Sequence, residues 1–158
     1  MTLNHLNLTV ADPTETSAFL AKYFGLQPRG GNLGIQMLND DRGMVLTLIK
    51  ARPEDRVEPG ARPSGLAGGA LRAEGARPSG FAGGVLRAEG ARPDGLAGEV
   101  KYPSSFHIGF IQPSHERVNE INQRLKDDGF TVDAPAHLHG SWTFYFRAPG
   151  GFTIEVLS

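Results

Sequence analysis

The chain has 158 residues, 16 Lys and Arg against 17 Asp and Glu, and no cysteine. A formal net charge of −1 gives no electrostatic footprint for nucleic acid or an anionic membrane. Without Cys there are no disulfides, thiolate metal sites or Cys nucleophile, so any metal must be held by His, carboxylate, hydroxyl, carbonyl or water. No apolar run approaches the roughly 18 residues needed to span a bilayer. The stretch Met1-Thr2-Leu3-Asn4-His5 lacks a basic region followed by an apolar core, so no signal peptide is expected. The expected location is cytoplasmic, and the length suggests one domain or two small modules sharing a core.

Leu3 to Val10 alternates, with Leu6, Leu8 and Val10 on one side and Leu3, His5, Asn7 and Thr9 on the other. This predicts a strand with one apolar and one mixed face. Asp12-Pro13-Thr14-Glu15 predicts a helix start: Asp12 as N-cap, Pro13 at the first helical position, Glu15 completing a capping box. Phe19, Leu20, Tyr23 and Phe24 supply its apolar stripe, and Gly25 ends it. Gly30-Gly31-Asn32 reads as a loop, Ile35 to Leu38 as a short strand, Asn39 to Gly43 as a turn and Met44 to Ile49 as a longer strand.

A repeat then interrupts the pattern. Residues 60–74 recur as 75–89 with Phe81 for Leu66 and Val85 for Ala70, and a truncated third copy runs from Gly90 to Gly98. Gly does not fall on every third residue, which excludes a collagen repeat. The stretch is too rich in Gly and Pro for a long helix and too poor in large apolar groups to offset ordering entropy, so a disordered surface loop is expected. It reads as a repeat expansion tolerated at a permissive site; the functional alternative is a lid or a partner-binding arm.

Phe106 to Ile111 predicts a strand, and Ser114 caps a helix with Val118, Ile121 and Leu125 at helical spacing, stopped by Gly129. Phe130 to Val132 reads as a short strand, and Pro135 to Gly140 as a loop with His137 and His139. Trp142 to Phe146 and Phe152 to Leu157 are the last strands, joined by the Gly150-Gly151 turn. The final strand carries one carboxylate, Glu155, in an apolar run. An ionised carboxylate leaving water needs a partner. His5 and His107, in similar strand contexts, are the best candidates, and a divalent metal would bring the three together.

With the repeat set aside, the halves match. Each runs strand, helix, short strand, strand, turn, strand. His5 and His107 occupy the first strands, Gly25 and Gly129 follow the helices, and Gly43 and Gly151 precede the last strands. Four residues past those last glycines stand Thr47 and Glu155. The fold class read from this is α+β: two tandem βαβββ modules forming a curved mixed sheet, at residues 1–51 and 99–158, with the insertion at 52–98 between them.

This pattern, with His5-x-Asn7-Leu8-x-Val10 at the start, Phe106-His107-Ile108-Gly109-Phe110 in the middle and Pro149-Gly150-Gly151-Phe152-x-Ile154-Glu155 at the end, resembles the vicinal oxygen chelate superfamily. That group includes glyoxalase I, fosfomycin-modifying enzymes, extradiol dioxygenases and bleomycin-binding proteins. The resemblance covers residues 1–51 and 99–158. It implies a sheet cupping a divalent metal held by His5, His107 and Glu155. Fe(II) or Mn(II) is favoured, with Ni(II) or Zn(II) as alternatives. Thr47 stands where glyoxalase I usually supplies a second Glu, which leaves two His and one carboxylate with open positions for a two-oxygen substrate. The segment His137-x6-Phe144-Tyr145-x2-Ala148-Pro149-x-Gly151-x3-Glu155 is similar to the extradiol dioxygenase signature, departing at Pro135. By that likeness His137 is an acid/base or oxygen-orienting group and Tyr145 a donor to a bound substrate oxygen. The implied activity is that of a small metal-dependent enzyme, dioxygenase-like or a lyase or transferase, acting on a small molecule as a homodimer. The alternative is a metal-free drug-binding protein in which Trp142, Phe144 and Phe146 line a stacking groove.

Overall fold

A computed structural model of the chain describes residues 4–56 and 100–158. The repeat lies outside the described residues. The first module runs β1 (His5–Val10), α1 (Pro13–Phe24), β2 (Gln27–Asn32), β3 (Ile35–Asn39) and β4 (Val45–Lys50). The second runs β5 (His107–Ile111), α2 (His115–Asp127), β6 (Ala136–Leu138), β7 (Ser141–Arg147) and β8 (Thr153–Leu157). The two βαβββ modules form two mixed sheets of four strands each, ordered β1-β4-β3-β2 and β5-β8-β7-β6. In each sheet the first strand pairs parallel with the last and forms an edge.

Local chemistry explains the element ends. Asp12 Oδ1 accepts from the backbone N–H of Thr14 at 2.8 Å and of Glu15 at 3.0 Å, satisfying donors that the first helical turn leaves open. Gly25 closes α1 at φ 72, a left-handed conformation that costs glycine little. Ser114 Oγ accepts from Arg117 N–H at 3.3 Å to start α2.

Two elements differ from the sequence expectation. Residues Gln27–Asn32, read partly as a loop, pair antiparallel with β3 across an irregularity between Pro28 and Gly30. The glycines permit it: at Gly31, φ is 151, and a Cβ there would lie 2.2 Å from the Ile35 carbonyl oxygen. Phe130–Val132 is not a strand; the short strand of the second module lies further on, at Ala136–Leu138. Phe130 N–H is already spent on the Leu125 carbonyl at 2.9 Å, and Asn122 Nδ2 donates to the Asp133 carbonyl at 2.7 Å. The segment is thereby tied to α2 rather than to a sheet.

The sheets turn their even-numbered faces into one shared core. Leu8, Val10, Leu38, Leu46 and Leu48 come from the first sheet, and Phe144, Phe146, Ile154 and Val156 from the second. Helix α1 bridges the modules. Phe24 stacks on Phe110 with centroids 4.2 Å apart, and Phe19 lies 5.5 Å from Phe130 and 6.0 Å from Phe146. Tyr23 donates to Asp128 at 2.5 Å and Lys22 Nζ lies 3.0 Å from the same oxygen; the two together hold the Asp128 carboxyl below its usual range. The odd-numbered faces point away from this core.

Arg56 and Val100 form an antiparallel bridge, and Lys101 N–H donates to the Asp55 carbonyl at 3.3 Å. The chain therefore leaves at residue 56 and returns at residue 100 at one point of the fold. Replacing residues 57–99 by a short turn should preserve the folded state. Loop-closure entropy grows only logarithmically with length, so a roughly tenfold shortening is expected to stabilise by ~2 kcal/mol. Denaturant unfolding checks this; a cooperative transition lost on deletion would show that the segment is part of the fold.

Candidate metal centre

The outer face of the second sheet is fixed by pairing. Glu155 on β8 lies between Gly109 of β5 and Tyr145 of β7, and one row away His107 pairs with Thr153. Because side chains alternate along a strand, His107, Glu155, Tyr145 and Thr143 share this face. Glu155 keeps 16% of its side chain exposed and His107 keeps 43%.

The two oxygens of Glu155 have different surroundings. Oε1 accepts from the Tyr145 hydroxyl at 2.5 Å, and Thr143 Oγ1 is 3.4 Å away. Thr143 is anchored by a 2.9 Å bond to the Val156 carbonyl. Oε2 faces His107 Nε2 at 3.4 Å. Burial first, then the hydrogen bond to Glu155 and its negative charge, push the Tyr145 phenol up to about 12. The phenol therefore stays protonated and remains a donor at neutral pH.

His107 Nδ1 lies 3.1 Å from the Ser105 carbonyl oxygen. A carbonyl can only accept, so Nδ1 carries the proton. Nε2 is then directed at a carboxylate oxygen. Either a second proton on the ring or a shared cation satisfies that approach. Adjacent ligand atoms about 2.1 Å from a first-row divalent ion are ~3 Å apart at a right angle, and the observed 3.4 Å is close to this. Gly109 sits opposite Glu155, and a Cβ there would lie 3.6 Å from Glu155 Oε2, an ordinary van der Waals contact.

His5 does not join this pair within the chain. It lies at the start of β1 on the outer face of the first sheet, exposed, with Nδ1 2.7 Å from Asn4 Oδ1. Among the described residues no group of three or more His, Asp and Glu is gathered to hold a metal. The registers do confirm the equivalence of the modules. His5 pairs with Val45 as His107 pairs with Thr153, and Thr47 opposes Asn7 as Glu155 opposes Gly109.

His137 pairs with Trp142, one residue out of step with the Thr143 and Tyr145 face. Its ring lies 4.8 Å from Trp142 and 5.6 Å from His115 at the start of α2, while Trp142 Nε1 donates to Asn119 of that helix at 2.9 Å. The sheet separates His137 from Glu155. Phe144 and Phe146 are core residues, 2% and 1% exposed, and do not form a surface groove with Trp142. Two residues of the site were not singled out from sequence: Thr143, and Gly109, which pairs with Glu155.

The outer faces also carry exposed apolar residues among polar ones. Of the exposed large hydrophobic residues among those described, Met37, Ile49, Ile111 and Leu138 belong to these two faces.

The family model described as Glyoxalase/Bleomycin resistance protein/Dioxygenase superfamily matches residues 2–156. Among solved structures, the chain is similar to that of a possible glyoxalase from Bacillus cereus, with 36% identity, a TM-score of 0.67, and coverage of 100% of this chain and 99% of that one. A lactoylglutathione lyase from Agrobacterium tumefaciens matches with 16% identity and a TM-score of 0.58, covering 99% of this chain and 92% of that one. The oxidase ChaP-H2 matches with 17% identity and a TM-score of 0.60, covering 100% and 93%. The last two likenesses show the fold alone. No curated protein matches the chain.

Proposed function

The chain belongs to the glyoxalase/bleomycin resistance protein/dioxygenase superfamily, and from that footing we propose that it is a divalent-metal-dependent enzyme acting on a small molecule with two neighbouring oxygens. The observation that carries the reading is the pair His107 Nε2 and Glu155 Oε2, 3.4 Å apart on the outer sheet face. The Ser105 carbonyl sets the His107 tautomer so that Nε2 offers a lone pair. Glu155 supplies negative charge, and Tyr145 keeps a proton beside it. When bound, a divalent ion would supply Lewis acidity toward the substrate oxygens, and Fe(II) or Mn(II) suits two imidazoles and one carboxylate. His137 has no role in this reading, since it lies across the sheet.

The third ligand is assigned to His5 of a second copy. The strands carrying His5 and His107, β1 and β5, are both sheet edges, with the Thr9 carbonyl of β1 accepting from the Tyr102 hydroxyl. A twofold arrangement that lays β1 of one copy beside β5 of the other would bring His5 to His107 and Glu155 twice per homodimer. Such pairing would also cover both edges. Met37 and Ile49 from one copy and Ile111 and Leu138 from the other would then wall the substrate.

Protein purified without chelator should carry about one divalent ion per chain by elemental analysis. Folded protein that neither retains nor takes up a divalent ion would overturn the reading. A second reading, a metal-free binder of apolar compounds, draws on the exposed Met37, Ile49, Ile111 and Leu138. It would be favoured if such metal-free protein still bound an aromatic cation.

A further inference from the structure

The unequal treatment of the two Glu155 oxygens has a role of its own. Oε1 is occupied by the Tyr145 hydroxyl at 2.5 Å, with Thr143 Oγ1 at 3.4 Å on the same atom. Oε2 receives no hydroxyl and faces His107 Nε2. The Tyr145 ring meets the His107 ring edge-on at 5.7 Å, so the phenol is held from the side as well. A carboxylate with one oxygen in a short charge-assisted bond is not free to turn both oxygens toward a cation. We infer that Tyr145 is a positioning residue that keeps Glu155 a one-oxygen ligand, presenting Oε2 alone.

The consequence is a matter of open positions. Two imidazoles and one carboxylate oxygen use three positions of a six-coordinate ion, whereas a carboxylate bound through both oxygens uses a fourth. A two-oxygen substrate needs two positions. Only with Oε1 withheld does a third remain for water or a second small reactant. Tyr145 thus sets how many reactants the centre accepts, acting through Glu155 and not through the substrate. This inference rests on the metal reading above.

The test compares wild type with Tyr145→Phe, which removes one oxygen and keeps the ring. Each is loaded with Co(II) or Mn(II) alone, after circular dichroism has shown the fold unchanged. The visible absorption of the Co(II) form should change in the variant, as a second carboxylate oxygen replaces one water at constant coordination number. Water-proton relaxation by the Mn(II) form should fall by about one third, as three open positions become two. Tyr23→Phe, which removes a phenol hydroxyl bonded to Asp128 away from this face, should resemble wild type in both readouts. A wild type that takes up neither ion would overturn the metal reading and this inference together. Uptake by both proteins with identical Co(II) spectra and Mn(II) relaxation would leave the metal reading standing and overturn the positioning role alone.

Discussion

Glu155→Gln should abolish stoichiometric metal binding while leaving the fold intact. The amide keeps the shape of the carboxylate but loses its charge. The remaining donors of this chain to a cation would then be the neutral His107 imidazole and an amide oxygen. A charge-assisted contact of about 3 kcal/mol corresponds to roughly a hundredfold in affinity, which sets the minimum loss expected. The cost to folding should be small, because Glu155 is partly exposed and the amide oxygen can still accept from Tyr145. Elemental analysis paired with circular dichroism separates the two effects. A variant that keeps its full metal content would remove Glu155 from the centre, and the cation would have to be sought elsewhere.

Much of this architecture is legible in the residues. Alternation of Leu6, Leu8 and Val10 gave β1 its faces, and Asp12, Ser114 and Gly25 marked helix ends through interactions that are local in sequence. The matched halves placed His107 and Glu155 on one face, because the pairing register follows from the same alternation. What was hidden depends on contacts distant in sequence. Whether β1 lies beside β5 within the chain is decided by how Phe19, Phe24, Phe110, Phe130 and Phe146 pack between the modules, and no periodicity encodes that. His137 illustrates a sharper limit. A strand displaced from Phe130–Val132 to Ala136–Leu138 carries its own register, and one residue of register decides the face. Tyr145 was expected to meet a substrate oxygen. Cross-strand pairing places it opposite Glu155, to which its hydroxyl donates.

The second large effect concerns His5. Among the described residues its side chain hydrogen-bonds only with Asn4, and its exposure would suit a surface residue of no consequence. In a two-chain centre it is a ligand, and His5→Ala should lose metal about as fully as Glu155→Gln. Each variant alone removes both sites of a homodimer, since each site takes His5 from one copy and Glu155 from the other. Mixed dimers behave differently. When a His5→Ala chain pairs with a Glu155→Gln chain, one site collects both defects and the other collects none. Random exchange of subunits makes half of the dimers mixed, so about one quarter of the wild-type sites should return. The most direct measurement is therefore the metal content of the two inactive variants after co-refolding. Recovery to about one quarter of wild type is the predicted result. No recovery from the mixture, with wild type fully loaded under the same conditions, would contradict a centre shared between two chains.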